Sequence, residues 1–559
     1  MPRRFGRNEG TRFGAGAHQS PVSLAKKRNV RIEQDFIPPE YSPVIAEKTV
    51  PAKVTRTAPT KVGFVSLGCP KNLVDSEVMM GMLAQAGAQL TPAAEDAEVI
   101  VVNTCSFIGS AQQESVDTIL EMARHKASGK ARKLVVAGCL VERFGDEIRK
   151  NIPEVDAVVG TGELGGILAA AGLAKQPPQS TPFTILSSRP EGDHRRQNGR
   201  FARDAWNGAV ADLPNYLYDE ETPRVLATPS YTAYIKIAEG CDHPCSFCII
   251  PQLRGQFRSR RFESVIAEAE RLAGTGVREI TLIGQDTTCY GEDLGLKDGL
   301  ALLLEKLAGI AELRWIRFLY AYPNKITGRL LDTIAAQAKI CSYIDVPLQH
   351  ASASVLKRMK RGGGADLFLR SIEKMRRVIP GLTLRTSFVV GFPGESEKEF
   401  EELCEFTREA RFDWMGTFGY SDQDGAKAFA LAGKVSGREI EQRRKLLMSI
   451  QKKISRANKR ALVGREFDLL LTGRSEETDL LFEGRTAMHA PEIDGKVFVN
   501  DYHGGSEPSA GNFYRCRITE AHDYDMVAQI LGESVQSPPA CPPNRLVVGA
   551  EDQVEGDFA

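Results

Sequence analysis

From residue 61 to about residue 460 the chain alternates short apolar runs with amphipathic stretches, and this alternation restricts the available folds more than any other feature. Runs at 61–67, 98–103, 133–137 and 155–159 read as strands, with helical periodicity between them over 75–86, 111–125 and 143–151. Strands separated by single helices make βαβ units, which set the strands parallel and lay helices on the sheet faces. The expectation is a small doubly wound α/β domain over 61–174. Periodicity fails over 175–229, where Pro177-Pro178 and Arg189-Pro190 sit among polar residues, and this reads as a linker with an insert. A second series starts near residue 230, with runs at 231–238, 279–283, 315–320, 343–348, 382–390 and 414–420, each followed by a helical pattern. Six βα units over 230–460 predict a partial (β/α)6 barrel, because the common closed form takes eight. Over 461–532 the pattern becomes five short strands with turns such as Asp494-Gly495 between them, as in a small β-barrel. The basic stretch 1–60 and the Pro-rich tail 533–559 read as disordered.

Composition narrows the function classes. The formal net charge over 559 residues is zero, so no global field steers the chain to nucleic acid or membrane. No apolar run approaches the roughly 18–20 residues that span a bilayer, and the start lacks a secretory segment, so a cytoplasmic location is expected. Eleven cysteines in such a chain point to metal or redox chemistry before a disulfide framework.

Three of them stand in Gly240-Cys241-Asp242-His243-Pro244-Cys245-Ser246-Phe247-Cys248, just after the first barrel strand. Four thiolates saturate a cubane iron–sulfur cluster, whereas three leave one iron open to a chelating ligand. The alternative is a zinc site completed by His243 or by a remote ligand. Position favours the cluster, since a loop at the carboxyl end of a barrel strand faces the active-site mouth. The motif resembles that of radical SAM enzymes, including Phe247 before the last cysteine. That resemblance implies a [4Fe–4S] cluster on Cys241, Cys245 and Cys248 that cleaves S-adenosylmethionine (SAM) to a hydrogen-abstracting radical. Gly284 and Gln285 after the second strand, and Gly391 after the fifth, sit where the family's SAM-binding walls lie. Arg385, on the fifth strand, is a polar residue expected to face the ligand or a buried partner.

Cys69, Cys105 and Cys139 each lie within two residues of the carboxyl end of an apolar run. In a parallel sheet those ends share one edge, where ligands bind. The three are either a second set of ligands or buried packing groups. Leu67-Gly68-Cys69-Pro70-Lys71-Asn72, Asn103-Thr104-Cys105 and Gly138-Cys139 resemble the amino-terminal domain of methylthiotransferases. The resemblance runs on through Ile249-Ile250-Pro251 and Leu253-Arg254-Gly255 and ends in a TRAM-like barrel. It implies a second [4Fe–4S] cluster on Cys69, Cys105 and Cys139 that handles sulfur, with SAM as co-substrate and flavodoxin or ferredoxin as electron donor. The remaining Cys289, Cys341, Cys404, Cys516 and Cys541 match no ligand of the family.

Two groups of the family compete. One modifies an adenosine of transfer RNA. The other, the RimO type, modifies the β-carbon of an aspartate in small-subunit ribosomal protein twelve. Pro70-Lys71 after the first cysteine and Ser246-Phe247 before Cys248 resemble the second. Residues 461–532 carry six basic and thirteen acidic side chains, a net of −7. Such a surface repels phosphate and suits a basic protein, so the expected partner is the ribosomal protein or the ribosome, and RNA binding is not expected.

Overall fold

The computed structural model describes residues 59–173, 214–503 and 506–534. Nearly all of the extension and tail expected at 1–60 and 533–559, Cys541 and most of the 175–229 linker lie outside the described residues, and Glu533 ends the last strand rather than opening the tail. No helix among the described residues is long and apolar enough to cross a membrane.

The first unit is a five-stranded parallel sheet: β1 (Lys61–Ser66), β2 (Gln89–Thr91), β3 (Val99–Thr104), β4 (Lys133–Gly138) and β5 (Ala157–Val159), in the order β2-β1-β3-β4-β5. β3 is buried throughout because both faces are covered, which is why its sequence is a continuous apolar run. Val99 and Val101 enter the core beneath helix α1 (Pro70–Gln85). Ile100 and Val102 enter the opposite core beneath α2 (Gly109–Ser128) and α3 (Cys139–Asn151). The sheet is therefore doubly wound, and its order reverses between β1 and β3, the place where such sheets bind ligands.

Six further parallel strands follow. β6 (Thr232–Lys236) is succeeded by a short antiparallel pair, β7 (Ala238–Glu239) with β8 (Arg258–Ser259). β9 (Glu279–Ile283) and β10 (Trp315–Phe318) complete one sheet with β6. β11 (Tyr343–Asp345), β12 (Thr383–Val390) and β13 (Trp414–Gly419) make the other. An Ile316–Ile340 bridge joins the two, and among the described residues β6 and β13 share no ladder, so the barrel stays open. Ile280, Ile316, Ile344 and Leu384 point to the surrounding helices.

The last five strands, β14 (Glu466–Arg474), β15 (Phe482–Thr486), β16 (Val497–Tyr502), β17 (Phe513–Ala521) and β18 (Met526–Glu533), close into a small barrel. It plugs the amino-terminal end of the large one. Arg485 pairs with buried Glu279, Tyr343 donates to Asp494 Oδ2 at 2.7 Å, and the Trp414 indole donates to the Met488 carbonyl at 2.8 Å. Residues 214–230, at the end of the expected linker, pack as a strap. Arg224 joins Glu77 of α1 at 2.5 Å to Glu268 of the barrel helix Phe262–Gly274 at 2.7 Å, with all three side chains buried.

Candidate active site between two cysteine triads

Adjacent strands of the first sheet deliver the first triad. Cys69 follows β1 and caps α1, Cys105 follows β3, and Cys139 opens α3 directly after β4. α1 starts five residues before the expected 75 because Cys69 is extended and Pro70 suits the first helical position. α3 starts at Cys139 rather than 143 because Gly138, at φ +94, turns the chain straight from strand to helix. The loops leave no room for bulk: a Cβ on Gly68 would fall 2.7 Å from that of Cys105. Asn72 lashes them together, donating to the carbonyls of Leu67 at 2.6 Å and Thr104 at 3.3 Å.

The thiols sense one another. Burial, then the neighbouring Cys139 and Cys69, pushes the Cys105 pKa up to about 12. Burial also raises Cys139 to about 11, against the pull of the Arg254 guanidinium. Three thiolates can coexist here only around a cation, which is what an iron–sulfur cluster provides.

The second triad hangs on the loop between β7 and β8. Gly240, at φ +81, passes so near the Gln256 carbonyl that a Cβ would sit 2.0 Å from its oxygen. The loop is tied down by Cys241 N–H to Gly255 O at 3.2 Å and Ser246 N–H to Met359 O at 2.9 Å. Burial, aided by Cys245, raises the Cys248 pKa to about 12. Arg361 approaches Cys245 Sγ at 3.4 Å and anchors on the Pro347 carbonyl at 2.9 Å. His243 is engaged elsewhere: its Nε2 meets Asp286 Oδ2 at 2.6 Å and its ring stacks on Tyr322 at 3.7 Å. A thiol triad without that histidine fits a three-cysteine cluster better than a four-ligand zinc site. Asp286 after β9, Tyr322 after β10 and Arg361 after the helix Ala353–Arg358 brace the loop. Only the topology joins them, so sequence spacing could not reveal the group.

The other expected site residues separate into two sets. Phe247 is half-buried against the barrel core beside the cysteines. Gln285 donates to Glu239 Oε1 at 2.5 Å, while its own Oε1 is buried without a protein partner, an acceptor available to a ligand. Gly284 stands next to it, with no atom closer than 3.4 Å to an added Cβ. Gly391 and Arg385 are tied to other elements of the fold. A Cβ on Gly391 would strike Ile440 at 2.3 Å, so that glycine serves packing of the helix Gly437–Arg460. Arg385 lies in the first half of β12, paired with Asp345 at 2.8 Å and with Asp494 of the small barrel at 3.5 Å. It meets the buried partner that the sequence offered as one option.

The triads face each other. Cys139 packs in one apolar cluster with Ile249, the residue after Cys248, and with Leu253. Arg254 reaches Asp75 at 2.5 Å and Asn72 at 3.1 Å, and its charge acts on Cys139 and Cys69. Lys236 joins Asp75 to Glu239, which it meets at 2.5 Å. Burial alone would raise the Glu239 pKa, but Lys236 and Arg254 outweigh it and hold it down at about 2. Lys71 lays its ammonium 3.3 Å from the centre of the Tyr320 ring.

Comparison with known proteins agrees with this division. Residues 61–160 match the uncharacterized protein family UPF0004, 235–407 the radical SAM superfamily and 463–531 the TRAM domain. Ribosomal protein uS12 methylthiotransferase RimO of Koribacter versatilis is 70% identical over 489 residues, covering 85% of this chain and 97% of that relative. The protein of the same name from Solibacter usitatus is 57% identical, covering 86% and 96%. Likeness to solved structures is looser: the radical SAM methyltransferase TsrM of Kitasatospora setae superposes with TM-score 0.42 at 15% identity, covering 65% of this chain and 75% of that one. On the strength of its relatives over nearly their whole length, the chain belongs to the RimO family of radical SAM methylthiotransferases.

Proposed function

We propose that the chain holds two [4Fe–4S] clusters, on Cys69, Cys105 and Cys139 and on Cys241, Cys245 and Cys248, and places a methylthio group on the β-carbon of an aspartate in ribosomal protein uS12. The packing of Cys139 against Ile249 carries this reading, because it sets a sulfur-handling site beside a radical-generating one. When bound, the barrel cluster and SAM supply a hydrogen-abstracting radical and the other cluster supplies the sulfur. The chain's own residues shape the space between. Gly284, Gln285 and Phe247 border the SAM side, Arg361 supports the Cys245 thiolate, and Arg254 offsets the negative charge of the first triad. A low-potential carrier such as flavodoxin or ferredoxin provides the electron. The working units are 61–174, 230–460 and 461–532, with 175–229 linking the first two.

The names of the relatives support uS12 as substrate over transfer RNA. The acidic excess of the small barrel supports it less than the sequence suggests. Asp494 pairs with Arg385, Asp468 lies near Arg314, and Asp523 pairs with Lys452, so part of that charge is spent inside the molecule.

Anaerobic reconstitution tests the cluster assignment. The wild-type chain should bind about eight irons. Changing Cys69, Cys105 and Cys139 together to alanine should halve that number and abolish methylthiolation while SAM cleavage stays measurable. Unchanged iron in the triple variant would return these cysteines to packing groups.

A further inference from the structure

The junction of the triads contains a buried lysine with no carboxylate partner among the described residues. Lys236 and Arg254 each share Asp75 and Glu239. Arg361 is spent on Cys245 and a carbonyl. Lys71, two residues after Cys69 in the first turn of α1, is only 8% exposed. Its ammonium meets the Tyr320 side chain and feels the more distant charges of Cys69 and Glu239, but among the described residues no carboxylate lies within ion-pairing distance. A buried charge is costly unless paired, and a ring face offsets only part of that cost. The other lysine buried over a ring, Lys459 over Trp414, has Ser455 Oγ at 2.8 Å and lies by the small barrel, away from the triads.

The ring beneath Lys71 is held in an unusual posture. Tyr320 adopts φ +66, which a bulky residue rarely takes. Its N–H is fixed by Asp345 Oδ2 at 3.0 Å, and Asp345 is fixed in turn by Arg385. Strain maintained by such a chain of contacts is characteristic of functional positions. Cys69 is close enough for its charge to act on the ammonium, and Tyr320 belongs to the barrel, just after β10.

We infer that Lys71 grips the side-chain carboxylate of the target aspartate. This rests on the uS12 reading above. The reacting β-carbon must lie between the two triads, and the carboxyl carbon is one bond from it. The carboxylate therefore enters the same cleft, where the Lys71 ammonium has no carboxylate of its own. A β-carbon next to a neutral amide or an alkyl group would leave that ammonium unpaired, so the lysine selects aspartate by charge.

The test measures binding of recombinant uS12, with its target aspartate intact or changed to asparagine, to the reconstituted full-length chain in the presence of SAM. Wild type should prefer the aspartate form by at least about 30-fold, the lower range for a buried charge pair that loses one partner. Lys71→Met should bind both forms equally at unchanged iron content, and Lys71→Arg should restore part of the preference. A Lys71→Met protein that keeps the preference overturns the assignment. So does one that loses the preference only together with iron or with a shifted reduction potential of the first cluster, because the ammonium then serves the cluster. If wild type binds uS12 but never modifies it, the substrate reading fails, and that result is distinct from both.

Discussion

Arg254 binds Asp75 with one nitrogen and Asn72 with the other while its charge bears on Cys139. Asn72 ties the loops of Cys69 and Cys105, so a single guanidinium sets both the geometry and the field of the first triad. Replacing it by methionine leaves Asp75 and Glu239 sharing Lys236 alone. Removing one member of a buried ion pair costs about 3–5 kcal/mol. Arg254→Met should lower the urea midpoint accordingly and lose iron from the first triad before the second. Arg254→Lys should fall between, since an ammonium keeps the charge but not the two-pronged grip. Equal iron loss from both triads would mean that the residue only holds the domains together. The residue was visible in Leu253-Arg254-Gly255, but its role was not, because Asp75 and Asn72 are more than 170 positions away in the chain.

The elements show where sequence pattern stops being informative. Strand–helix alternation gave both βα series, since a parallel strand covered on two faces has to be apolar throughout. It missed β2, whose three residues, Gln-Leu-Thr, carry no apolar run. It read Gly391 as a ligand-facing glycine and Arg385 as a ligand-facing or buried polar residue. Both positions also meet distant elements that local pattern does not show, the helix Gly437–Arg460 and the small barrel. The small barrel itself is more than a docking module. Arg485 lies against Glu279, which also receives Thr232 Oγ1 at 3.2 Å and Arg317 at 3.5 Å. Arg485→Met should destabilise the holoenzyme by about 3 kcal/mol, read as a shifted denaturant midpoint. For the same reason, deleting 461–532 should cost SAM cleavage as well as substrate modification, by uncovering Glu279, Arg385 and Trp414. A deletion protein with full SAM cleavage would show that the plug is dispensable to the large barrel. Charge reversal aimed at docking should avoid Glu483, which is buried, accepts from Ser475 Oγ at 2.7 Å and pairs with the exposed Lys496. Glu476 and Glu477, in the turn before β15, are the ones to change.

At the level of the whole molecule, three units enclose one reaction space. The first sheet offers its switch-point edge, the open barrel offers its mouth, and the strap with Arg224 locks the two at a set distance. Each cysteine triad has its own local signature in the sequence, one in spacing and the other in strand ends. The apposition of the two has none, because it depends on α1 docking beside β6. The central claim is that this space attaches sulfur and a methyl group to an aspartate of uS12. The most direct measurement is intact and fragment mass spectrometry of uS12 after incubation with the anaerobically reconstituted chain, SAM and reductant. The account predicts a gain of one CH2S unit on a single aspartate, absent with Cys245→Ala. An unmodified uS12 beside a methylthiolated transfer RNA would contradict it.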